Sequence, residues 1–282
     1  MLLLATFACR RSIPSIPTDD ENILGETQIV SGGVTRHFIL HVPPSYNGNP
    51  VALVLNLHGY SSNSKQEEAL TGMSPKADEA RFIVVYPDGI ESTWYTGPGA
   101  QGDADQQFIR DLIAHLEALS TIDPKRIYAT GISNGGGMTN RLACDMANVI
   151  AAIAPDSGAY NFWQNCNPSR PVPVLAFHGL DDNIIPYAGN TPQIMTPPIE
   201  DWAAAWAGRN GCASTPTITT PVETITIHTW SQCKENADVI LYTLANHGHS
   251  WPGSLVMPKN ITSQAVNATD VIWEFFKQHP MP

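Results

Sequence analysis

Apolar residues in this chain fall into two kinds of run. Short β-branched or apolar stretches cover residues 35–42, 51–58, 82–86, 150–155, 172–178 and 239–245, each about the length of a strand. Between residues 103 and 119 the period changes, because Phe108, Leu112, Ile113, Leu116 and Leu119 recur at helical spacing. Stretches near 66–80, 199–209 and 265–279 also read as helices. Turn residues punctuate the pattern. Tyr46-Asn47-Gly48-Asn49-Pro50 separates the first two strands, which read as neighbours, and Pro87-Asp88-Gly89 ends the third. Apolar strands alternating with helices predict an α/β fold, a mostly parallel central sheet flanked by helices on both faces. In such sheets the reactive groups gather beyond the carboxyl ends of the strands.

One strand carries chemistry at that end. Arg126-Ile127-Tyr128-Ala129-Thr130-Gly131-Ile132-Ser133-Asn134-Gly135-Gly136-Gly137 runs from a β-branched strand into a serine with glycine two positions to either side, then into a helix over 134–144. This is the pattern of a nucleophile elbow, whose sharp turn strains the serine backbone and leaves room only for small neighbours. The turn lifts the Ser133 hydroxyl above the sheet edge and aims a helix N-terminus at an oxyanion forming beside it. A phosphate-binding glycine turn is the competing reading, but the Lys-Ser/Thr ending of a phosphate loop is missing.

A serine hydroxyl needs a base within hydrogen-bond reach, itself oriented by a carboxylate. Residues 174–186 offer Asp181 and Asp182 at the end of a later strand, and residues 241–253 offer His247 and His249. Their order along the chain is Ser, Asp, His.

Composition narrows the surroundings. With 26 acidic against 15 basic residues the formal charge is −11, so the basic footprint of a nucleic-acid or anionic-lipid binder is absent. No stretch approaches the roughly 20 apolar residues of a membrane span. Without a CxxC pair or a carboxylate and histidine cluster, neither a metal nor an organic cofactor is expected. Residues 1–22 read as an export leader and linker: an apolar run ending in Ala8-Cys9, then Arg10, Arg11 and a Pro/Ser/Asp-rich stretch. An imperfect lipobox makes a lipid anchor at Cys9 a subsidiary expectation, and residues 23–282 are expected to form a single catalytic domain. Setting Cys9 aside leaves four cysteines and three connectivities. The preferred pairing joins neighbours, Cys144 with Cys166 and Cys212 with Cys233, tying the elbow helix to a following loop and a helix end to a hairpin. Export favours disulfides over four buried thiols.

The order of these pieces resembles the polyhydroxybutyrate depolymerase and bacterial feruloyl esterase family, an esterase branch of the α/β-hydrolase superfamily. The matching residues are Leu57-His58-Gly59, Tyr86-Pro87-Asp88-Gly89, Ile122-Asp123-Pro124, Ser133-Asn134-Gly135-Gly136, Arg141-Leu142-Ala143-Cys144, His178-Gly179 and His249-Ser250-Trp251-Pro252-Gly253. The resemblance implies Ser133 as nucleophile. It maps the acid to Asp182, four positions after His178, and the base to His249, immediately before the Ser-Trp-Pro-Gly run; His247 stands where glycine is common. It also implies the backbone N–H groups of Asn134 and Tyr60 as oxyanion donors.

Trp94 and Trp251 are candidate aromatic walls for a substrate, with core packing as the competing role. Trp202 and Trp206, four apart, read as packing, and His58 and His178 as braces for loops. The loops over 160–171 and 187–198 are candidates for a modest pocket cover. The expected function is a secreted serine carboxylesterase acting on feruloyl (hydroxycinnamoyl) esters of plant cell-wall polysaccharide. Polyhydroxybutyrate or acetyl esters are alternative substrates, and a peptidase on the same fold is a second enzymatic reading. A catalytically silent carbohydrate-binding surface protein is the alternative of another class.

Overall fold

The structure, a computed structural model, describes residues 25–161, 163–189 and 195–282. The expected leader, with Cys9, lies outside them. The chain runs β1 (Gly25–Ser31), β2 (Val34–His41), β3 (Val51–Leu57), α1 (Ser64–Thr71), α2 (Met73–Ala80), β4 (Ile83–Pro87), α3 (Ala100–Leu119) and β5 (Ile122–Ile132). It continues through α4 (Asn134–Asp145), β6 (Ala152–Asp156), β7 (Val174–Gly179), α5 (Ile199–Asn210), β8 (Thr217–Val222), β9 (Ile225–Trp230), β10 (Val239–Leu244) and α6 (Ala268–Gln278). Among the described residues the strands form one sheet in the order β1-β2-β4-β3-β5-β6-β7-β10-β9-β8. From β4 to β10 the neighbours are parallel, and the outer pairs are antiparallel.

The continuous apolar runs became the centre because both of their faces are covered. Every residue of β3, β4, β6 and β7 is buried, as a central parallel strand requires. On one face Thr269 of α6 donates through Oγ1 to the Thr71 carbonyl of α1 (2.6 Å). Tyr128 of β5 stacks there on Phe276 of α6, and Phe82 on Trp273. On the other face α3, α4 and α5 are joined: Gln106 donates to Asp145, and both Trp202 and Trp206 donate their indole N–H to Asn140 Oδ1 (3.0 and 2.9 Å). These two tryptophans are packing residues, as their spacing predicts.

Two expectations need correction, and two strands went unseen. β2 and β3 are not neighbours, since β4 lies between them, antiparallel to β2 and parallel to β3. The wholly apolar β4 needs a partner on each side, whereas β2, with exposed positions near its start, tolerates a place toward the edge. The helix expected over 66–80 is two helices, broken where Gly72 adopts a left-handed conformation (φ 58°) and caps α1. The edge strands β1 and β8 left no apolar signature; every residue of β8 is exposed.

Two disulfides join Cys144 to Cys166 and Cys212 to Cys233, the neighbour pairing expected. Among the described residues no helix is long and apolar enough to cross a membrane.

Candidate active site

Ser133 sits between β5 and α4 with φ 57° and ψ −116°, a conformation that costs a non-glycine residue about 1–3 kcal/mol. The surroundings hold it there. A Cβ on either Gly131 or Gly135 would run into the Leu57 backbone carbonyl, so β3 passes too close for any side chain at those positions. The Ser133 N–H donates to the Asp156 carbonyl (3.0 Å), while its own carbonyl accepts from Gly137 N–H and Ala159 N–H (both 2.9 Å). The turn after β6 therefore clasps the serine from both sides of its peptide plane. That turn is strained too, because buried Ser157 has φ 45°.

The three strands that follow the fold's midline, β5, β7 and β10, place Ser133, Asp182 and His249 beyond their carboxyl ends. Asp182 is fully buried at its side chain. Its Oδ1 accepts the N–H groups of Ile184 (2.9 Å) and Ile185 (2.8 Å), and its Oδ2 lies 2.8 Å from His249 Nδ1. Burial alone would raise its pKa, but the hydrogen bond and charge of His249, with help from His178 and the Ile185 N–H, hold it below the usual carboxylate range. An ionised Asp182 accepts, so the proton of neutral His249 sits on Nδ1 and leaves the Nε2 lone pair available. Among the described residues no hydrogen bond joins Ser133 Oγ to His249 Nε2, a looseness common before substrate binds. Asp181 is exposed and binds the His247 carbonyl only through its backbone N–H.

His247 is excluded as the base by its own bonds. It is buried, its Nε2 lies 2.8 Å from the Ser250 carbonyl and so donates, and its Nδ1 accepts from the Ser263 N–H (2.8 Å). Both nitrogens are spent, and burial lowers its pKa so that it stays neutral. His178 likewise donates Nε2–H to the Ile185 carbonyl (2.8 Å), with burial pushing its pKa down to about 4. It braces the loop that carries Asp182.

The loop after β3 runs beside the serine: a Cβ on Gly59 would lie 3.5 Å from the Ser133 Cβ. Among the described residues the backbone N–H groups of Tyr60 and Asn134 have no acceptor, although Ser61 and Ser62, which follow Tyr60, and Ser133, which precedes Asn134, all donate. His58 Nδ1 donates to the Gly59 carbonyl (2.7 Å), and its Nε2 accepts from the Gly89 N–H (2.9 Å).

Trp251 is not the wall expected of it, and Trp94 borders the cleft only at its margin. Trp251 is 1% exposed, lies in the core and donates its indole N–H to Thr269. Trp94 is 2% exposed and donates its indole N–H to the His58 carbonyl (3.1 Å). Neither offers a free ring face; both are large apolar bodies whose single polar atom is satisfied inside. The open space lies beside Trp94. A cleft of about 480 Å³ borders Asn134 and is lined by residues 94–102 and Asn161. Thr96, Pro98 and Asn161 also line a cavity of about 90 Å³ that reaches Asn140 and Arg141. The Cys144–Cys166 disulfide sits in the wall of that cavity, fixing the 160–171 loop against α4. Among the described residues no group of three His, Cys, Asp or Glu side chains could hold a metal ion.

Two contributors left no sequence signal: the Asn134 side chain, which bonds the Trp94 backbone, and the strained turn at Ser157. Each is recognised only by what it touches.

Residues 36–165 match the family model described as esterase PHB depolymerase. Feruloyl esterase B of Piromyces equi is 31% identical over 264 residues, covering 88% of this chain and 46% of that protein. A bifunctional acetylxylan esterase/xylanase of Neocallimastix patriciarum is 29% identical over 225 residues, covering 77% of this chain and 31% of that protein. The chain thus spans less than half the length of either relative. Among solved structures, an acetyl xylan esterase from Aspergillus awamori superimposes with a TM-score of 0.68 at 16% identity, covering 90% of this chain and 99% of that one. The fold is that of the α/β-hydrolases.

Proposed function

Because the chain belongs to the esterase PHB depolymerase family, we propose that it is a serine carboxylesterase with Ser133 as nucleophile, His249 as base and Asp182 as the acid that orients it. The observation that carries this reading is the 2.8 Å bond from His249 Nδ1 to buried Asp182, at the same sheet end as the strained Ser133. In the proposed reaction Ser133 Oγ attacks the ester carbonyl carbon while His249 Nε2 takes its proton. The carbonyl oxygen becomes an oxyanion held by the N–H groups of Tyr60 and Asn134. Collapse of this intermediate breaks the bond to the alcohol oxygen, which leaves with the proton from His249. Water then repeats the sequence, with His249 again as base, and releases the acid. Removing one oxyanion donor in such a site costs about 10²–10³ in rate.

We further propose a single catalytic domain over residues 23–282 and an extracellular setting, which the two disulfides suit. Feruloyl esters of plant cell-wall polysaccharide are the proposed substrates, supported by the names of the relatives. The cleft bordering Asn134 has the size of a small-ligand site. Acetyl esters are the second choice, on the likeness to the acetylxylan esterases.

The test is a hydrolysis panel of methyl ferulate, p-nitrophenyl acetate, p-nitrophenyl butyrate and a hydroxybutyrate oligomer, run on the parent and on Ser133→Ala. The parent should cleave at least one ester and the variant none, with its fold intact. A variant as active as its parent would refute the assignment of Ser133. Preference for butyrate over ferulate would overturn the feruloyl choice while leaving the esterase reading in place. A fluorophosphonate that fails to label Ser133 in a protein inert toward the whole panel would favour a silent binding protein.

A further inference from the structure

Two backbone donors on separate segments must be registered to within a fraction of an ångström if they are to hold one oxyanion. One follows β3 and the other begins α4, and no direct bond links their peptide groups. What links them is a third segment. The Trp94 indole N–H reaches the carbonyl of His58, two residues before Tyr60 (3.1 Å). The same residue's backbone N–H donates to Asn134 Oδ1 (2.7 Å), and its carbonyl accepts from Asn134 Nδ2 (2.9 Å). Thr93 Oγ1 adds a longer bond to Asn134 Oδ1 (3.3 Å). The paired bonds fix the orientation of the amide without ambiguity, since its oxygen faces a donor and its nitrogen an acceptor.

Trp94 is itself immobilised. Its ring lies between His58 (centroids 5.3 Å apart) and Phe108 (6.5 Å, 9° between planes). The next residue, Tyr95, donates its N–H to Asp105 Oδ2 (2.9 Å), and Asp105 Oδ1 takes a buried ion pair from Arg36 (2.9 Å). Arg36 in turn stacks over Phe108 at 3.9 Å. The His58 ring anchors the near end of the β3 loop through Gly59 and Gly89. Every polar atom of Trp94 is thus spent on one or other of the two donor segments, and its ring wedges between rigid neighbours.

We propose that Trp94 is a positioning residue that sets the spacing of the Tyr60 and Asn134 N–H groups, with its indole N–H holding the first and its backbone, through the Asn134 amide, holding the second. This rests on the esterase reading and on those two N–H groups as the oxyanion donors. A residue in this role acts on the transition state, in which the oxyanion exists, and leaves ground-state binding nearly untouched. It also leaves the Asp182–His249 pair alone.

Trp94→Phe removes the indole N–H but keeps an aromatic ring in the slot; Asn134→Ala removes both amide bonds to Trp94 without adding charge and leaves the Asn134 backbone N–H in place. With p-nitrophenyl acetate, each variant should lose about tenfold or more in kcat, with KM within about twofold, because a donor is displaced and not deleted. Affinity for an alkylboronic acid, whose tetrahedral adduct places an oxygen in the oxyanion site, should fall in parallel. The pH midpoint of kcat/KM should stay at its parental value. Parental kcat and boronate affinity in a folded Trp94→Phe would overturn the proposal, as would a loss confined to KM or accompanied by a moved pH midpoint. If Trp94→Phe does not fold, Asn134→Ala gives the same decision. A parent protein that hydrolyses no ester, or a Ser133→Ala variant that hydrolyses them all, would fail the esterase reading itself and is a separate outcome.

Discussion

Asp156 and Glu67 should make the protein less stable as pH rises, and neutral substitutes at either position should remove that loss. Asp156 ends β6, directly beneath the Ser133 peptide, and Glu67 lies on α1; they are 0% and 1% exposed. Among the described residues none of their four carboxyl oxygens has a hydrogen-bond partner, and Asn56 Oδ1 is also unpaired. Burial raises the pKa of both groups well above the carboxyl range, and for Asp156 the nearby charge of Asp182 raises it further. In the folded protein each therefore keeps its proton at pH values where the unfolded chain has lost it. The native state then binds more protons than the unfolded one, so stability is complete below the ordinary carboxyl range and falls as pH rises toward the folded pKa. Between the unfolded and folded pKa values the slope approaches about 1.4 kcal/mol per pH unit for each group.

Asp156→Asn and Glu67→Gln keep shape and neutrality but have no proton to release. Denaturant unfolding at pH 5, 6 and 7 would measure the free energy of each variant and of the parent. Buried His58, His178 and His247, whose pKa values are lowered, act in the opposite sense: they lose stability as pH falls below about 6.5. Comparing variant with parent cancels that common contribution. The advantage of each variant should grow as pH rises from 5 to 7, at up to about 1.4 kcal/mol per pH unit. A difference that stays constant from pH 5 to pH 7 would mean that these carboxyls ionise normally in the folded state, and the reasoning would fail.

The histidines can be separated by the kind of damage they cause. His249→Ala should lower ester hydrolysis by about 10⁴ or more with little change in Tm. His247→Ala should lower stability by about 1–3 kcal/mol for each of the two buried backbone groups it strands, the Ser250 carbonyl and the Ser263 N–H, as read by denaturant unfolding. A His247 variant that is stable but inactive would reverse their roles. Replacing Cys212 and Cys233 by serine opens a loop with a sequence separation of 21 and should cost about 3 kcal/mol in unfolding free energy. Hydrolysis by that variant should match the parent at a temperature where both are folded, because the bridge lies by the amino end of β10, opposite the sheet end that carries Ser133.

The middle of the sheet was legible because strands buried on both faces are mostly apolar along their length, and β3, β4 and β7 carry that mark, broken only by Asn56 and His178 near two strand ends. Strand order was not, because adjacency depends on which buried strand competes for a neighbour; β4 displaced the pairing that the Tyr46 to Pro50 turn suggested. Ser133 could be read because the close passage of β3 forbids side chains at Gly131 and Gly135, and that demand is written as glycine. The Cys144–Cys166 pairing was readable from its place at the end of the elbow helix. Trp94 and Trp251 were misread for one reason. An indole beside a reactive loop looks the same in sequence whether its N–H is spent inside the core or its face is left open. Asp156 gave no warning at all, since a lone acid at a strand end is an ordinary surface feature until burial is known.

The acid loop explains why Asp182, and not the adjacent Asp181, could be held for this work. A carboxylate that orients an imidazole must keep one oxygen on Nδ1 and must not rotate, so its second oxygen needs partners of its own. Asp182 Oδ1 has two, the N–H groups of Ile184 and Ile185. Those donors are fixed in their turn, since the Ile185 carbonyl is held by His178, the last side chain before the Gly179 end of β7. Gly179 itself leaves no room for a Cβ against the His247 carbonyl, and the Asp181 N–H bonds that same carbonyl. The strand end, the acid turn and the histidine loop are therefore one hydrogen-bonded unit, with the orientation of His249 as its output. Ser133 belongs to a second unit, built on the β6 turn and Leu57. On the proposed esterase reading, the gap between the two is where the ester carbonyl would sit.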